Sequence, residues 1–402
     1  MSRNNLVAAV DIGTSKTVVF IAEIRPGRSL NLIGFGERPS AGLRKGEIFD
    51  MNAAKEIVQN AFADAESNAG VVGDVTRAYL SLTGSHLEGK RFVGSASVAT
   101  GRVSADDIER AKNDVKRRRS ADDQHIIHYV RQPFFLDGVI RPNPIDMLGK
   151  RLEVSYWTIF ANRDRLAEIL HIPNDIGVNV EDFVVSSLAS SSMVADETMK
   201  SNGVLIIDIG GGVTDYALYY KGFVVHTGVI PVGGDHITND LAVGLRISRS
   251  DAEEIKTTLA RAYVGEDDRN ATVLFRTAGS AIGGREFHRR SINAIVEART
   301  DEIFQIIKGR LGRFGGPDRV AAGAVLTGGT SKLNGIDQRA ADSLGLLASI
   351  GQPREWVPVE FSAAQYSAAL GLFDYAFAGR ENSASPARPA GLGDRIRRLL
   401  PF

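Results

Sequence analysis

The sequence predicts a two-domain α/β protein with duplicated β-sheet cores and a small α+β unit inserted in the first half. Three observations carry this reading. The chain has 402 residues, too many for one hydrophobic core. A strand–turn–strand unit, Asp11-Ile-Gly-Thr-Ser-Lys-Thr17, returns as Asp208-Ile-Gly-Gly-Gly-Val-Thr214; recurrence after half a chain indicates two similar domains facing each other. Between Ser85 and about Phe160 the strand and helix pattern changes, as an inserted module would make it change.

Composition narrows the function classes. Lys+Arg and Asp+Glu are equal at 48 each, which argues against a nucleic-acid binder, because phosphate neutralisation needs a basic face. The chain has no cysteine, so disulfides, thiolate metal sites and cysteine nucleophiles are excluded. No apolar run approaches the ~20 residues of a membrane span, and the opening apolar run is too short for a signal peptide. A cytoplasmic protein is expected.

The elements follow in order. Leu6 to Val10, Thr17 to Ile24 and Leu30 to Phe35 read as strands. Asp50 caps a predicted helix with apolar positions Ala53, Ile57, Ala61 and Ala65, ending at Gly70. Val75 to Leu82 is a further strand. Within the inserted unit, a strand from Arg91 to Ala99 precedes a helix opened by the capping box Ser104-x-x-Asp107. That helix closes on Lys116 to Arg119, cations that complement the helix dipole. Strand-like segments follow at Ile126 to Leu136 and Leu152 to Phe160.

The recurring turns point to a polyphosphate. Glycine just after an Asp-ending strand lets main-chain N–H groups approach an oxyanion with no Cβ in the way. Gly13, Thr14, Ser15 and Lys16 supply one such turn; Gly210, Gly211 and Gly212 supply the other. Asp11 and Asp208 would face the cleft, where carboxylates suit a Mg²⁺ that keeps its waters. A third cluster, Gly328-Gly329 after the strand Ala324 to Thr327, can let a flat base lie on the backbone. Glu253 and Lys256, one turn apart on a helix, can reach a ribose or adenine edge; Ser250-x-x-Glu253 also reads as a capping box.

These clusters, in this order, resemble the phosphate and adenosine motifs of the actin, sugar-kinase and heat-shock-chaperone superfamily. Within it the chain resembles the FtsA family of bacterial division proteins. Asp208-Ile-Gly-Gly-Gly-Val-Thr-Asp215, Val229-Ile-Pro-Val-Gly-Gly-Asp-His-Ile-Thr-Asn-Asp240, Ala252-Glu-x-x-Lys256 and Leu326-Thr-Gly-Gly329 carry the likeness. It implies an actin-like (ribonuclease H-like) fold: subdomain 1A at 1–84 plus 161–200, inserted subdomain 1C at 85–160, 2A at 201–240 plus 310–378, and 2B at 241–309. It implies ATP and Mg²⁺ as cofactors, with Thr214, Asp215 and Gly234 joining the residues already named. It further implies self-polymerisation and other divisome partners. The C-terminal tail of FtsZ would be received near Arg290 and Arg299.

One departure bears on catalysis. Where the family tends to keep a Glu-Pro, this chain has Glu181-Asp-Phe-Val-Val-Ser186-Ser187, so a group that can orient an attacking water is replaced by Ser186. Asp208, Glu181 and Asp215 remain as candidates, and ATP binding with slow or absent hydrolysis is expected.

Residues 379–390 read as a flexible linker rich in Ser, Pro, Ala and Gly. Residues 391–402 place Leu392, Ile396, Leu399 and Leu400 on one helical stripe with Phe402 beyond, while Arg395, Arg397 and Arg398 occupy the rest of the wheel. Such a segment suits the surface of an anionic membrane, and the resemblance implies a place on the inner face at the division site. The rival readings are a PilM-like pilus-assembly protein, which shares the inserted subdomain, and a small-molecule kinase of the same fold.

Overall fold

The computed structural model describes residues 5–25, 30–117, 124–276, 284–316 and 318–383. β1 (Leu6–Ile12), β2 (Lys16–Ile24) and β3 (Leu30–Pro39) form an antiparallel meander. A short hairpin of β4 (Leu43–Arg44) and β5 (Glu47–Ile48) leads into α1 (Met51–Ala69). The Asp50 carboxylate caps α1, accepting the Asn52 and Ala53 N–H groups at 3.1 Å each, and Gly70 ends it in the left-handed region. The buried stripe is Ala54, Val58, Ala61, Phe62 and Ala65, so Ala53 and Ile57 are rotated away from the core. The reason lies in β3: a Cβ on Gly36 would meet the Ala61 carbonyl oxygen at 2.0 Å. The helix backbone rests on glycine there, which fixes its rotation. β6 (Arg77–Leu82) then joins β1 in parallel.

The inserted unit comprises β7 (Glu88–Ser97), α2 (Ala105–Arg117), β8 (Gln124–Arg131), β9 (Phe134–Leu136), β10 (Val139–Arg141) and β11 (Arg151–Asn162). Its sheet runs β10-β9-β11-β7, with β8 also on β11. It buries its own cluster around Ile108, Val115, Phe134, Leu152 and Val154. The capping box of α2 forms: the Asp107 carboxylate accepts the Ser104 N–H at 2.8 Å, and the Asp107 N–H reaches Ser104 Oγ at 3.2 Å. The single strand expected over Ile126 to Leu136 is two strands, because Pro133 brings no N–H to the ladder. Arg118 and Arg119 lie outside the described residues.

The chain returns through α3 (Arg163–Asp175), β12 (Asn179–Val185), α4 (Ser186–Val194) and α5 (Glu197–Asn202). The second half begins with β13 (Val204–Ile209), β14 (Thr214–Tyr220) and β15 (Phe223–Ile230), followed by α6 (Gly234–Leu245) and α7 (Arg249–Thr258). β16 (Thr272–Phe275), β17 (Arg285–His288) and α8 (Arg289–Leu311) come next, then β18 (Ala324–Thr327), α9 (Ile336–Leu344), β19 (Ala348–Ile350) and α10 (Ser367–Ser383). α7 is capped by Ser248, whose hydroxyl accepts the Asp251 N–H at 3.1 Å, not by the expected Ser250. α10 continues through Ser383, past Gly379 where a loose segment was expected.

The two principal sheets have the same plan. Their orders are β12-β6-β1-β2-β3 and β15-β14-β13-β18-β19, each an antiparallel meander extended by two parallel strands. The sequence repeat is therefore a duplication of topology. α4 and α10 cross between the two sheets, and α4 is buried along nearly its whole length. Three of its serines bond to their own helix, Ser190 Oγ donating to the Ser186 carbonyl at 2.8 Å, Ser191 Oγ to that of Ser187 and Ser192 Oγ to that of Ala189 at 2.8 Å, whereas the hydroxyls of Ser186 and Ser187 have no partner. A Cβ on Gly371 of α10 would lie 1.8 Å from the Ala189 carbonyl oxygen, so the crossing is backbone against backbone.

Candidate functional site

Each meander opens with the same turn. Gly13 N–H donates to the Lys16 carbonyl at 3.0 Å, and Gly210 N–H to that of Val213 at 2.9 Å. The flanking registers match, Ile12 opposite Thr17 and Ile209 opposite Thr214. The turns face each other across the cleft: a Cβ on Gly212 would lie 2.6 Å from Thr14 Oγ, and one on Gly211 2.8 Å from the Ser15 Cβ. Side chains on the second turn are excluded by Thr14 and Ser15 of the first, so the two turns pack directly on each other. Between and behind the turns is a cavity of about 450 Å³.

Acidic groups line its floor. Asp208 on β13 stands directly opposite Asp215 on β14, so the two carboxylates share one face of the sheet. Like charges so placed oppose folding. Burial, and then the charge of Asp11, push the Asp208 carboxyl up to about 7. Burial also drives Asp215 well above the usual range, against the hydrogen bond from Thr83, whose hydroxyl donates to it at 2.5 Å. That bond ties the end of β6 in one half to β14 in the other. Asp11, likewise raised by burial, accepts from the Ser81 hydroxyl.

Cations and the opposite wall complete the cavity. Lys16 reaches Glu37 at 3.0 Å and lies 4.2 Å from the centre of the Tyr366 ring; burial lowers its pKa. On α7, Lys256 Nζ meets Glu253 at 2.7 Å and Thr238 Oγ at 2.9 Å, the shared helix face expected from their spacing. Gly328 has φ +85° and would place a Cβ 2.4 Å from Asp208 Oδ1, so only glycine carries the chain beneath that carboxylate.

Most residues singled out in the sequence meet here: Asp11, Gly13 to Lys16, Asp208, Gly210 to Gly212, Asp215, Glu253, Lys256, Gly328, Gly329 and Ser186 all line the cavity. Three do not. Thr214 is buried, its hydroxyl donating to the Val232 carbonyl at 2.8 Å. Gly234 is covered by Thr330 and Lys256. Glu181 sits at a bulge of β12, three positions before Val184, which pairs with Ser81 beside Asp11. At about 3.3 Å per residue that leaves it roughly 10 Å short of the carboxylates.

Thr83, Asp235, Thr330, Lys332 and Gln365 also line the cavity and were not anticipated. Thr83 follows an apolar strand parallel to β1, a signal of the same kind as the glycine turns; Gln365 has none.

Arg290 and Arg299 both lie on α8, but nine positions turn a helix by about 900°, which sets them on opposite sides. Arg299 meets Asp240 at 2.6 Å and lines a groove with Val243, Ile295 and Glu302, whereas Arg290 is exposed. Leu392, Arg395, Ile396, Arg398, Leu399, Leu400 and Phe402 lie outside the described residues.

The cavity wall has polar groups left over for a ligand. Asp215 Oδ1 and Ser186 Oγ are buried, unpartnered and on the cavity wall, as groups awaiting a polar occupant would be. Among the described residues no cluster of three or more His, Cys, Asp or Glu is arranged to hold a metal alone.

Comparison with known proteins decides the family. The family model "Cell division protein FtsA" matches residues 205–371, and "SHS2 domain inserted in FTSA" matches residues 84–160. Cell division protein FtsA of Pseudomonas aeruginosa is 32% identical over 87% of this chain and 83% of its own length. The chain belongs to the FtsA family of cell division proteins. FtsA of Escherichia coli is 29% identical over 98% of this chain and 96% of its own, and that of Bacillus subtilis 31% over 94% and 84%.

Solved structures share the fold. The PilM–PilN type IV pilus biogenesis complex aligns at TM-score 0.58 and 18% identity, covering 91% of this chain and 97% of that one. MreB5 of Spiroplasma citri bound to ADP aligns at 0.56 and 16%, covering 96% and 100%. The fold is therefore actin-like, with the SHS2 insertion of the FtsA family at residues 84–160. No helix among the described residues is long and apolar enough to cross a membrane.

Proposed function

We propose that this FtsA-family chain binds Mg-ATP in the cleft, polymerises, and holds the C-terminal tail of FtsZ at the inner membrane face while recruiting other division proteins. The observation that carries the reading is the pair of facing turns, Gly13 to Lys16 and Gly210 to Val213, with Asp11 and Asp208 at their bases. Main-chain N–H groups of both turns would take the phosphates. Asp11 and Asp208 would hold Mg²⁺ through its waters, Glu253 and Lys256 would meet the ribose, and Gly328-Gly329 would face the base. The metal would neutralise phosphate charge and so relieve the crowding of Asp208 and Asp215. Glu181 is too far to act on the phosphates, and Ser186 offers a hydroxyl where water would need a base; hydrolysis is slow, and nucleotide serves assembly.

The groove between α6 and α8 would receive the tail of FtsZ, with Arg299 exchanging its pairs with Asp240 and Glu302 for a carboxylate of the tail. Residues 391–402 would lie in the membrane surface, each copy weakly and a polymer firmly through avidity. Membership of the FtsA family speaks against the pilus and kinase alternatives.

Electron microscopy of the full chain on an anionic lipid monolayer tests this directly. Membrane-bound filaments are expected with Mg-ATP and should vanish from the monolayer when residues 391–402 are deleted. Filaments indifferent to nucleotide, or still membrane-bound after the deletion, overturn the reading.

A further inference from the structure

A second cavity, of about 450 Å³, lies on the other side of the molecule's second half, where the inserted unit abuts β14 and β15. One wall is built from the insertion by Phe135 and Trp157; the other by Tyr220, His226 and Phe314. Its surface is mostly apolar, and its volume is in the range that encloses a small organic molecule. Two hydrogen bonds join the walls at its margin: Gln132 Nε2 donates to the Val224 carbonyl at 3.2 Å, and Trp157 Nε1 to Thr227 Oγ at 2.9 Å.

Its charged lining is of one sign. Among the described residues Arg91, Lys221 and Arg319 border it and no Asp or Glu does. Arg91 reaches only the Ser155 hydroxyl, at 3.3 Å. Lys221 lies 5.4 Å from the Tyr220 ring, and Arg319 5.7 Å from Tyr220 and 5.1 Å from Phe314. Among the described residues none of the three has a carboxylate within 4.0 Å. His226 Nδ1, on the same wall, is buried and without a partner. Aromatic faces beside unneutralised guanidinium groups select a flat apolar body that carries a negative charge.

We propose that this cavity is a binding site for an aromatic organic anion, either free or as the acid-flanked aromatic side chain of a peptide. An occupant touches both walls, so it adds to a seam already joined there by the two bonds named above and by the Trp157–His226 ring contact at 5.0 Å. Its free energy of binding adds to the stability of that docked arrangement. The site is separate from the nucleotide cleft, and its test does not depend on nucleotide.

The probe is 8-anilinonaphthalene-1-sulfonate, an aromatic sulfonate that accepts energy from tryptophan. The chain has two tryptophans; Trp356→Phe leaves Trp157 as the sole donor. Saturable quenching of Trp157 is expected, at least tenfold weaker in Arg319→Glu and in Lys221→Glu, each checked for folding by its thermal melt. The uncharged analogue N-phenyl-1-naphthylamine should bind at least tenfold more weakly. Equal affinity for both probes, or quenching untouched by both charge reversals in folded protein, overturns the proposal. Displacement of the probe by indole-3-acetate marks a free anion as the occupant, and displacement only by an acetylated Glu-Trp-Glu peptide marks a protein segment. Displacement by neither overturns the assignment.

Discussion

Gly212 and Thr14 approach so closely across the cleft that a methyl group on Gly212 would lie 2.6 Å from the Thr14 hydroxyl oxygen. Gly212 is not in the left-handed region, so alanine there costs no backbone strain and acts only by pushing the turns apart. Gly212→Ala should weaken Mg-ATP binding by at least tenfold, about 1.4 kcal/mol, with the thermal midpoint nearly unchanged. Calorimetric titration beside a melt checks both; unaltered affinity would mean that the turns do not grip the phosphates.

Ser186 opens α4 on the cavity wall with its hydroxyl unpartnered. The parent chain should turn over ATP no faster than on the order of one per minute, because Ser186 is no base and burial favours the protonated form of Asp208 and Asp215. Ser186→Glu should raise phosphate release by about tenfold or more, within the range a positioned carboxylate contributes. Fast turnover in the parent would contradict the role given to this position.

Two buried groups should give opposite pH limbs to folding stability. His128 Nε2 accepts the Val185 N–H at 3.1 Å, and burial pushes its pKa from 6.5 down to about 4. Between those values the unfolded chain holds the extra proton, so this contribution is complete above pH 6.5 and is lost as pH falls toward 4. The loss is bounded near 3 kcal/mol. Asp208 runs the other way: raised from 3.8 to about 7, it keeps its proton in the folded state, and stability declines as pH rises through that window. In urea titrations without nucleotide, His128→Gln should flatten the acid limb and Asp208→Asn should raise the midpoint above pH 7. An acid limb unchanged in His128→Gln would remove His128 from the account.

The α4–α10 crossing has no room for a side chain, since a Cβ on Gly371 would lie 1.8 Å from the Ala189 carbonyl oxygen. The helices must separate to admit one. Gly371→Ala should destabilise the fold by about 3 kcal/mol, at the upper end of overpacking costs because the obstacle is backbone. Chemical denaturation measures it, and a loss below about 0.5 kcal/mol would show that the helices move apart freely.

Much of this was legible residue by residue. The turns at Gly13 and Gly210, the Asp50 and Ser104 caps, and the Glu253–Lys256 pair depend on neighbours within a few positions, so spacing alone specified them. Pro133 broke a strand that periodicity had drawn as one, and Ser248 took the cap assigned to Ser250. Such errors arise where two local rules compete within a few residues.

The sequence by itself determined a duplicated α/β fold with an Asp–glycine turn at the head of each half, because hydrophobic period and turn chemistry are local properties of the chain. Only the tertiary structure decided that the turns confront one another, that Thr83 reaches Asp215 across 132 positions, and that Glu181 stands away from the carboxylates. It also opened the cationic, aromatic cavity beside Trp157. Those relations depend on how two sheets and an inserted unit are rotated against each other, and that rotation is set by close backbone approaches such as Gly371 on Ala189, which no spacing along the chain records.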